Sequence, residues 1–206
     1  MSTAAALLAA GHGSRFVGNR HKPLALLRRR PLAAWAIDAA VNSGLQPVLL
    51  VVGSHSRNVA RLAPPGVEVV DAPHWEMGIA HSVHALLDAL EPRATVSAVC
   101  IGLADQPNVS AEAFTRLARA HDDGAELAVA TYNGERGNPV LLGRSLWDEA
   151  RRLKGDVGAR ALMAQHAPVE VDCTDTGSPR DVDTLDDLHA LEVELEVELE
   201  VEEDQQ

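Results

Sequence analysis

Aromatic side chains are almost missing from this chain: two Phe, one Tyr and three Trp make up 3% of its 206 residues. Ala, Leu and Val must therefore fill any core, and a hydrophobic content of 46% suffices for one ordinary globular domain of this length. Cysteine is scarce too. Cys100 and Cys173 sit inside apolar runs, which excludes a disulfide framework and points to buried thiols in a reducing compartment. Long apolar runs are lacking: the opening Ala/Leu stretch is cut by Gly11 and has no basic segment before it. Neither a signal peptide nor a membrane span is expected, and the cytoplasm is the expected compartment. An excess of basic charge is also absent. The net charge is −12, and eight of the acidic residues fall between Glu192 and Asp204, so the remainder carries −4. A mildly acidic body argues against nucleic acid as a partner.

What the chain does have is a regular alternation of apolar runs and helical stretches. AAALLAA, residues 4–10, reads as a buried strand, and Pro47–Val52 as a second, covered on both faces. Val67–Val70, Thr95–Ile101 and Glu126–Thr131 read as the third, fourth and fifth. Leu32–Val41 carries helical spacing behind Pro31, a short helix reaches about Leu62, Ile79–Leu90 is helical, and Ser110 caps a helix to about His121. Arg28-Arg29-Arg30 reads as a turn with solvated charges. Strands alternating with helices imply βαβ units, a mainly parallel sheet and a Rossmann-like three-layer α/β/α sandwich. The second half breaks the rhythm. Tyr132–Leu142 reads as a turn and then a strand that is a candidate for antiparallel pairing, Leu146–Leu153 and Ala159–His166 as helices, and Val169–Cys173 as a short strand. A helix begins near Leu185. No linker divides the chain, so residues 1–190 read as one domain. The acidic extension 191–206 is expected to be solvated and largely disordered beyond about Glu196, without a catalytic role.

In open α/β sheets, ligands bind beyond the carboxyl ends of the strands. The loops in that position are Gly11–Lys22, Gly53-Ser54, Asp71–Gly78 and Gly102–Pro107. The first contains Gly11, Gly13, Ser14, Arg15, Gly18 and Lys22. Backbone N–H groups approach an anion where side chains are absent, and Arg15 and Lys22 supply charge, so the loop reads as a phosphate site. The bland alternative is a surface turn carrying two cations. Asp105, at the end of the central fourth strand, either holds Mg²⁺ against a triphosphate or caps a turn. The acidic pair Asp181 and Asp183 favours the metal, because a metal-bridged phosphate site draws carboxylates from two loops. Gly78 and Ser82 open the helix after the third strand and either contact a base or ribose or are plain helix surface. His74, His81 and His84 lack a Cys or a well-spaced third ligand, so zinc is not expected. No G-K-[S/T] is present for a Walker P-loop, Phe16 stands where a dinucleotide fingerprint needs glycine, and there is no G-x-S-x-G elbow.

These motifs resemble the MobA-like NTP transferases and, within them, the molybdenum cofactor cytidylyltransferases. The resemblance rests on Leu8-Ala9-Ala10-Gly11 with Arg15, Gly18 and Lys22, on Gly78 with Ser82-Val83, and on Ala104-Asp105-Gln106-Pro107. It continues through Arg136-Gly137-Asn138-Pro139-Val140-Leu141 and Gly155-Asp156-Val157-Gly158-Ala159-Arg160. It closes with Asp181-Val182-Asp183-Thr184-Leu185-Asp186-Asp187-Leu188, in the family's order over nearly all of residues 4–190.

The resemblance implies a fold of the nucleotide-diphospho-sugar transferase type and an enzyme that transfers CMP from CTP to molybdopterin, releasing pyrophosphate. Lys22 and Arg15 would offset charge on the phosphates, and Asp105 with Asp181 or Asp183 would hold Mg²⁺. Ala9, Ala10 and Gly11 would lie along the base, with Gly13, Ser14, Gly78 and Ser82 completing the nucleotide site. Asn138, Asp156 and Arg160 would fall on the acceptor side. Leu-Ala-Ala-Gly resembles the CTP users, whereas guanylyl relatives more often show Leu-Ala-Gly-Gly, which leaves room for a purine. Three features depart from the pattern: two extra residues between Gly11 and Lys22, Asn138 in place of the usual histidine, and Leu185 in place of a common proline. The alternatives are guanylyl transfer from GTP to molybdopterin or to another phosphorylated acceptor such as phospholactate, and a non-catalytic nucleotide-binding regulator or chaperone. Arg15, Lys22, Asp105 and Asp183 occurring together speak against the last. The implied partners are a nucleoside triphosphate and a phosphorylated small molecule, with transient contact to a molybdoenzyme or its insertion chaperone, and neither nucleic acid nor membrane.

Overall fold

Period-two alternation inside the apolar runs decides the architecture. In β1 (Ser2–Ala9), Ala5, Leu7 and Ala9 face one core, while Ala4, Ala6 and Leu8 face another. The computed structural model describes residues 1–11, 22–53 and 56–193. After β1 come β2 (Leu26–Leu27), β3 (Arg30–Pro31), α1 (Leu32–Asn42), β4 (Val48–Val52), α2 (Ser56–Ala60), β5 (Val67–Asp71) and α3 (Ile79–Leu90). They are followed by β6 (Val96–Leu103), α4 (Ala111–Asp122), β7 (Leu127–Tyr132), β8 (Glu135–Gly143), α5 (Trp147–Ala150) and β9 (Val169–Asp172). Residues 185–193 form a last helix, α6.

Seven strands make the main sheet, in the order β5-β4-β1-β6-β8-β7-β9. Only β8 runs against its neighbours, pairing antiparallel with both β6 and β7; the strand proposed for antiparallel pairing is this one. On one face, Ala33, Ala36 and Ile37 of α1 pack with Phe114 and Leu117 of α4. On the other, Val83, Leu86 and Leu90 of α3 pack with Trp147 of α5 and Leu162. The result is the expected three-layer α/β/α sandwich with a mostly parallel sheet. Truncating Leu50, which is fully buried in β4, to Ala would cost about 2–5 kcal/mol. Ser110 caps α4 as expected, its Oγ accepting from Ala113 N at 3.3 Å.

Two sequence expectations are corrected here. The helix read over Leu146–Leu153 shrinks to α5, and Ala159–Ala164 is a 3₁₀ helix. The latter buries residues three apart, Ala159 with Leu162, which suits a three-residue turn. A third, small core lies outside the sandwich. Ala25, Leu27 and Leu32 around the β2–β3 hairpin pack against Val182, Leu188 and Leu191, so α6 braces the start of the chain. Thr184 and Asp187 cap α6 reciprocally, with Thr184 N donating to Asp187 Oδ2 at 2.8 Å and Asp187 N to Thr184 Oγ1 at 3.1 Å. Among the described residues, no helix is long and apolar enough to cross a membrane. The acidic stretch from residue 194 onward lies outside the described residues.

Candidate active site

A groove opens beyond the carboxyl ends of β1, β5 and β6, as the strand-end rule requires. It has two lobes of about 500 Å³ each, which share Leu8, Ile79, Leu103 and Asp156. One lobe is lined by Ala10, Gly11, Trp75, Glu76, Gly78, Ser82 and Asp105. The other is lined by Gln106, Arg136, Asn138, Arg160, Pro179 and Asp181 over an apolar floor of Val83, Ile101 and Val140. Most site residues expected from the sequence and described in the structure fall on this groove. Lys22 and Asp183 line neither lobe but are joined to the groove through Asp105, and Ala9 is turned away from it. As the last residue of β1 it turns its side chain into the core under α1, so the alternation that puts Ala10 in the groove takes Ala9 out of it. Gly13, Ser14, Arg15 and Gly18 lie outside the described residues.

The first lobe is shaped by close backbone contacts. Gly78 has φ +109°, and a Cβ there would come within 2.2 Å of the Gly155 carbonyl carbon. The first turn of α3 instead packs directly on the 155–158 turn, and Ala80 N donates to Gly155 O at 3.1 Å in place of a side-chain cap. Gly78 is thus required for this approach as well as lining the lobe. Gly53, at the end of β4, does similar work: a Cβ there would come within 2.4 Å of the Trp75 ring. Ser82 is 3% exposed and faces this lobe.

Beside the first lobe, Lys22 is held between two carboxylates, one of them that lobe's own Asp105. It stands on a single 3₁₀ turn, Lys22–Leu24, and its Nζ lies 2.6 Å from Asp105 Oδ2 and 2.5 Å from Asp183 Oδ1. Burial works against the ammonium, yet the charge and hydrogen bond of Asp105, with those of Asp183, prevail and raise its pKa above the usual lysine value. Lys22 therefore stays charged at neutral pH.

Asp181 has a different environment. It looks into the second lobe, where burial first, then the charge of Asp105, lift its pKa above the usual carboxylate value. A hydrogen bond from Gln106 and the charge of Lys22 pull the other way. Among the described residues, no three acidic, histidine or cysteine side chains are gathered closely enough to hold a metal ion. The cluster read from the sequence is therefore a pair, Asp105 with Asp183, plus Asp181 apart from it. A pair still fits Mg²⁺, which takes one or two carboxylates and completes its shell with phosphate oxygens and water. Two carboxylates around one ammonium also leave a local negative charge for a divalent cation to balance.

The second lobe contains a buried polar network that the candidate list from the sequence left out. Gln106, 3% exposed, accepts from Asn138 Nδ2 at 3.0 Å and donates to Pro179 O at 2.6 Å. Tyr132 Oη donates to Asn138 O at 2.9 Å. Arg136 is engaged by Glu170, its Nε donating to Oε1 at 2.8 Å. Trp75, Glu76, Arg136 and Pro179 were also missed. The hint available for Gln106 was an uncharged polar residue wedged between Asp105 and Pro107.

The structure thus sets a lysine between carboxylates, beside a glycine-lined lobe at the strand ends of a doubly wound sheet. The chain belongs to the MobA-like NTP transferase domain family, whose model matches residues 5–170. It is 34% identical over 171 residues to the bifunctional protein GlmU of Pelobacter propionicus, a match covering 82% of this chain and 36% of that protein. The chain spans about a third of the length of the curated relatives it matches. Among solved structures, the homologue of Mycobacterium tuberculosis Rv0371c from Mycobacterium sp. strain JC1 superposes with a TM-score of 0.81 at 25% identity, over 96% of this chain and 98% of that one. The complex of Rv0371c with manganese from Mycobacterium tuberculosis H37Rv gives 0.77 at 26%, over 93% and 98%.

Proposed function

We propose that the protein is a divalent-metal-dependent nucleotidyltransferase that transfers CMP from CTP to molybdopterin and releases pyrophosphate. The observation that carries the reading is Lys22 clasped by Asp105, which lines the first lobe, and Asp183, two residues from Asp181 of the second, so that groups bound in each lobe come near one cation site. In the reaction, a phosphate oxygen of the acceptor attacks the α-phosphorus and the bond to the pyrophosphate oxygen breaks.

The lobe with Ala10, Gly11, Gly78 and Ser82 takes the nucleotide, and the lobe with Asn138, Asp156 and Arg160 takes the acceptor. Lys22 holds a positive charge beside the phosphates, and Arg15 adds a second from the signature loop. Asp105 and Asp183 are the residues that would hold Mg²⁺, with Asp181 nearby on the acceptor side. When bound, the cation supplies charge that screens the phosphates from the incoming nucleophile and from each other. Positioning and electrostatics supply the catalysis, without a covalent intermediate. A manganese complex of a protein of the same fold supports the divalent requirement.

The choice of CTP rests on Ala10. Its methyl group occupies the groove at the position where guanylyl relatives more often have glycine, and it narrows the space for a base. Incubating the protein with each NTP, Mg²⁺ and molybdopterin and measuring pyrophosphate tests the proposal. CTP should give release that depends on metal and acceptor; release with GTP alone would sink the cytidylyl assignment, and none with any NTP would sink the enzyme.

A further inference from the structure

Asp181 and Asp183 are carried by a strap, residues 177–183, that belongs to no helix or strand. Its position relative to Asp105 must therefore be set by other bonds. Three of them zip it to the loop after β6. Ser178 N donates to Asn108 O at 3.1 Å, and Val182 N donates to Asp105 O at 3.3 Å. Between these two backbone rungs, the central rung is a side chain: Gln106 Nε2 donates to Pro179 O at 2.6 Å. The same amide accepts from Asn138 Nδ2 at 3.0 Å. A carbonyl only accepts, so the amide nitrogen must face Pro179 and its oxygen must face Asn138. Buried and committed on both sides, this amide has a fixed orientation.

We infer that Gln106 is a positioning residue: its amide sets the register of the 177–183 strap and thereby the place of Asp183 opposite Asp105. The inference rests on the metal-dependent reading above. An apolar side chain of the same volume would fill the space but supply no rung. Pro179 would lose its donor, the strap would be held by its ends alone, and Asp183 could draw away from Asp105 and Lys22. Nucleotide contacts in the other lobe would stay as they are, because Gln106 lines only the acceptor side.

The experiment is a Mn²⁺ titration of the full chain, read by electron paramagnetic resonance, on wild type, Gln106→Met and Gln106→Asn. It is paired with steady-state kinetics in CTP. Gln106→Met should weaken Mn²⁺ binding at least tenfold and lower kcat at least tenfold, while the KM for CTP stays within twofold. Gln106→Asn keeps the amide but falls one methylene short, and its losses should lie between those of wild type and the Met variant. A folded Gln106→Met that binds Mn²⁺ within twofold of wild type overturns the inference. So does a rise in KM for CTP at unchanged kcat, which is what general loosening of the groove would give. If the Met variant does not fold, Gln106→Asn decides the matter alone, and Mn²⁺ affinity equal to wild type overturns the inference. Failure of wild type itself to bind Mn²⁺ would instead sink the metal-dependent reading.

Discussion

The two lobes of the groove are built by opposite means. The lobe proposed for the nucleotide sets small residues, Ala10, Gly11, Gly78 and a buried Ser82, and the close approach of Gly78 to Gly155 beside Trp75, Glu76 and Asp105. The acceptor lobe is made of long polar side chains, Gln106, Arg136, Asn138 and Arg160, around the antiparallel strand β8 and the loops of the second half. A lobe formed by close backbone approach recognises shape and phosphate, and tolerates little added volume. A lobe formed by side chains recognises functional groups and can be retuned one residue at a time. On the proposed reading, the nucleotide would meet the half set by backbone, and the acceptor the half set by side chains.

The contrast can be broken hardest at the carboxylate clasp on Lys22. Asp105→Asn should lower kcat about a thousandfold, as loss of a pre-organised charge does, with the circular dichroism spectrum unchanged. A rate within tenfold of wild type would place the chemistry elsewhere. In the nucleotide lobe, Gly78→Ala forces a methyl group against Gly155 at a positive φ. It should cost about 2–3 kcal/mol of stability by denaturant titration and raise the KM for CTP. A variant as stable as wild type would show that this lobe is not rigid.

The acceptor lobe should respond differently. Asn138→Ala removes a hydrogen bond worth about 1 kcal/mol, so the KM for the acceptor should rise about five- to tenfold while the KM for CTP stays put. Equal effects on both would erase the distinction between the lobes. A smaller change is expected from Ala10→Gly, which should raise kcat/KM for GTP relative to CTP in a competition assay. The smallest concerns Asp181. Its folded pKa is raised, so the folded protein holds that proton more tightly than the unfolded chain does. Asp181 therefore adds stability at low pH, and the contribution is lost as pH rises through the raised value. Asp181→Asn should raise the Tm at neutral pH in the presence of EDTA, and the gain should fade as pH falls below about 4.

The same contrast explains what the sequence disclosed. The β1 run, Ser110 and the order of strand-end loops are local signals; the first two placed the sheet and a helix cap correctly, and the third brought Ala10, Gly11, Gly78 and Ser82 to one lobe. Ala9 was misplaced because the motif was read as a string, whereas a strand sends neighbouring residues to opposite faces. Gly78 was legible as a special position, but its reason, Gly155, is far along the chain. Gln106 and the preference of Lys22 for Asp183 over Asp181 depend on contacts across 73 and 161 positions. No periodicity encodes such pairings. The 3₁₀ segment at Ala159–Ala164 was read as α-helix because propensity alone does not separate the two.

The small core joining the β2–β3 hairpin to α6 has a consequence for how the protein comes into being. A ribosome delivers the signature loop early, and Asp183, Leu188 and Leu191 among the last residues described here. Until those emerge, Lys22 has one of its two carboxylates, and the hairpin behind it has no cover. A nascent chain should therefore fold much of its sheet on the ribosome yet leave the groove unfinished. Ordering of the site therefore follows that of the sheet, because the segment bearing Asp183 comes after every strand of it in the chain.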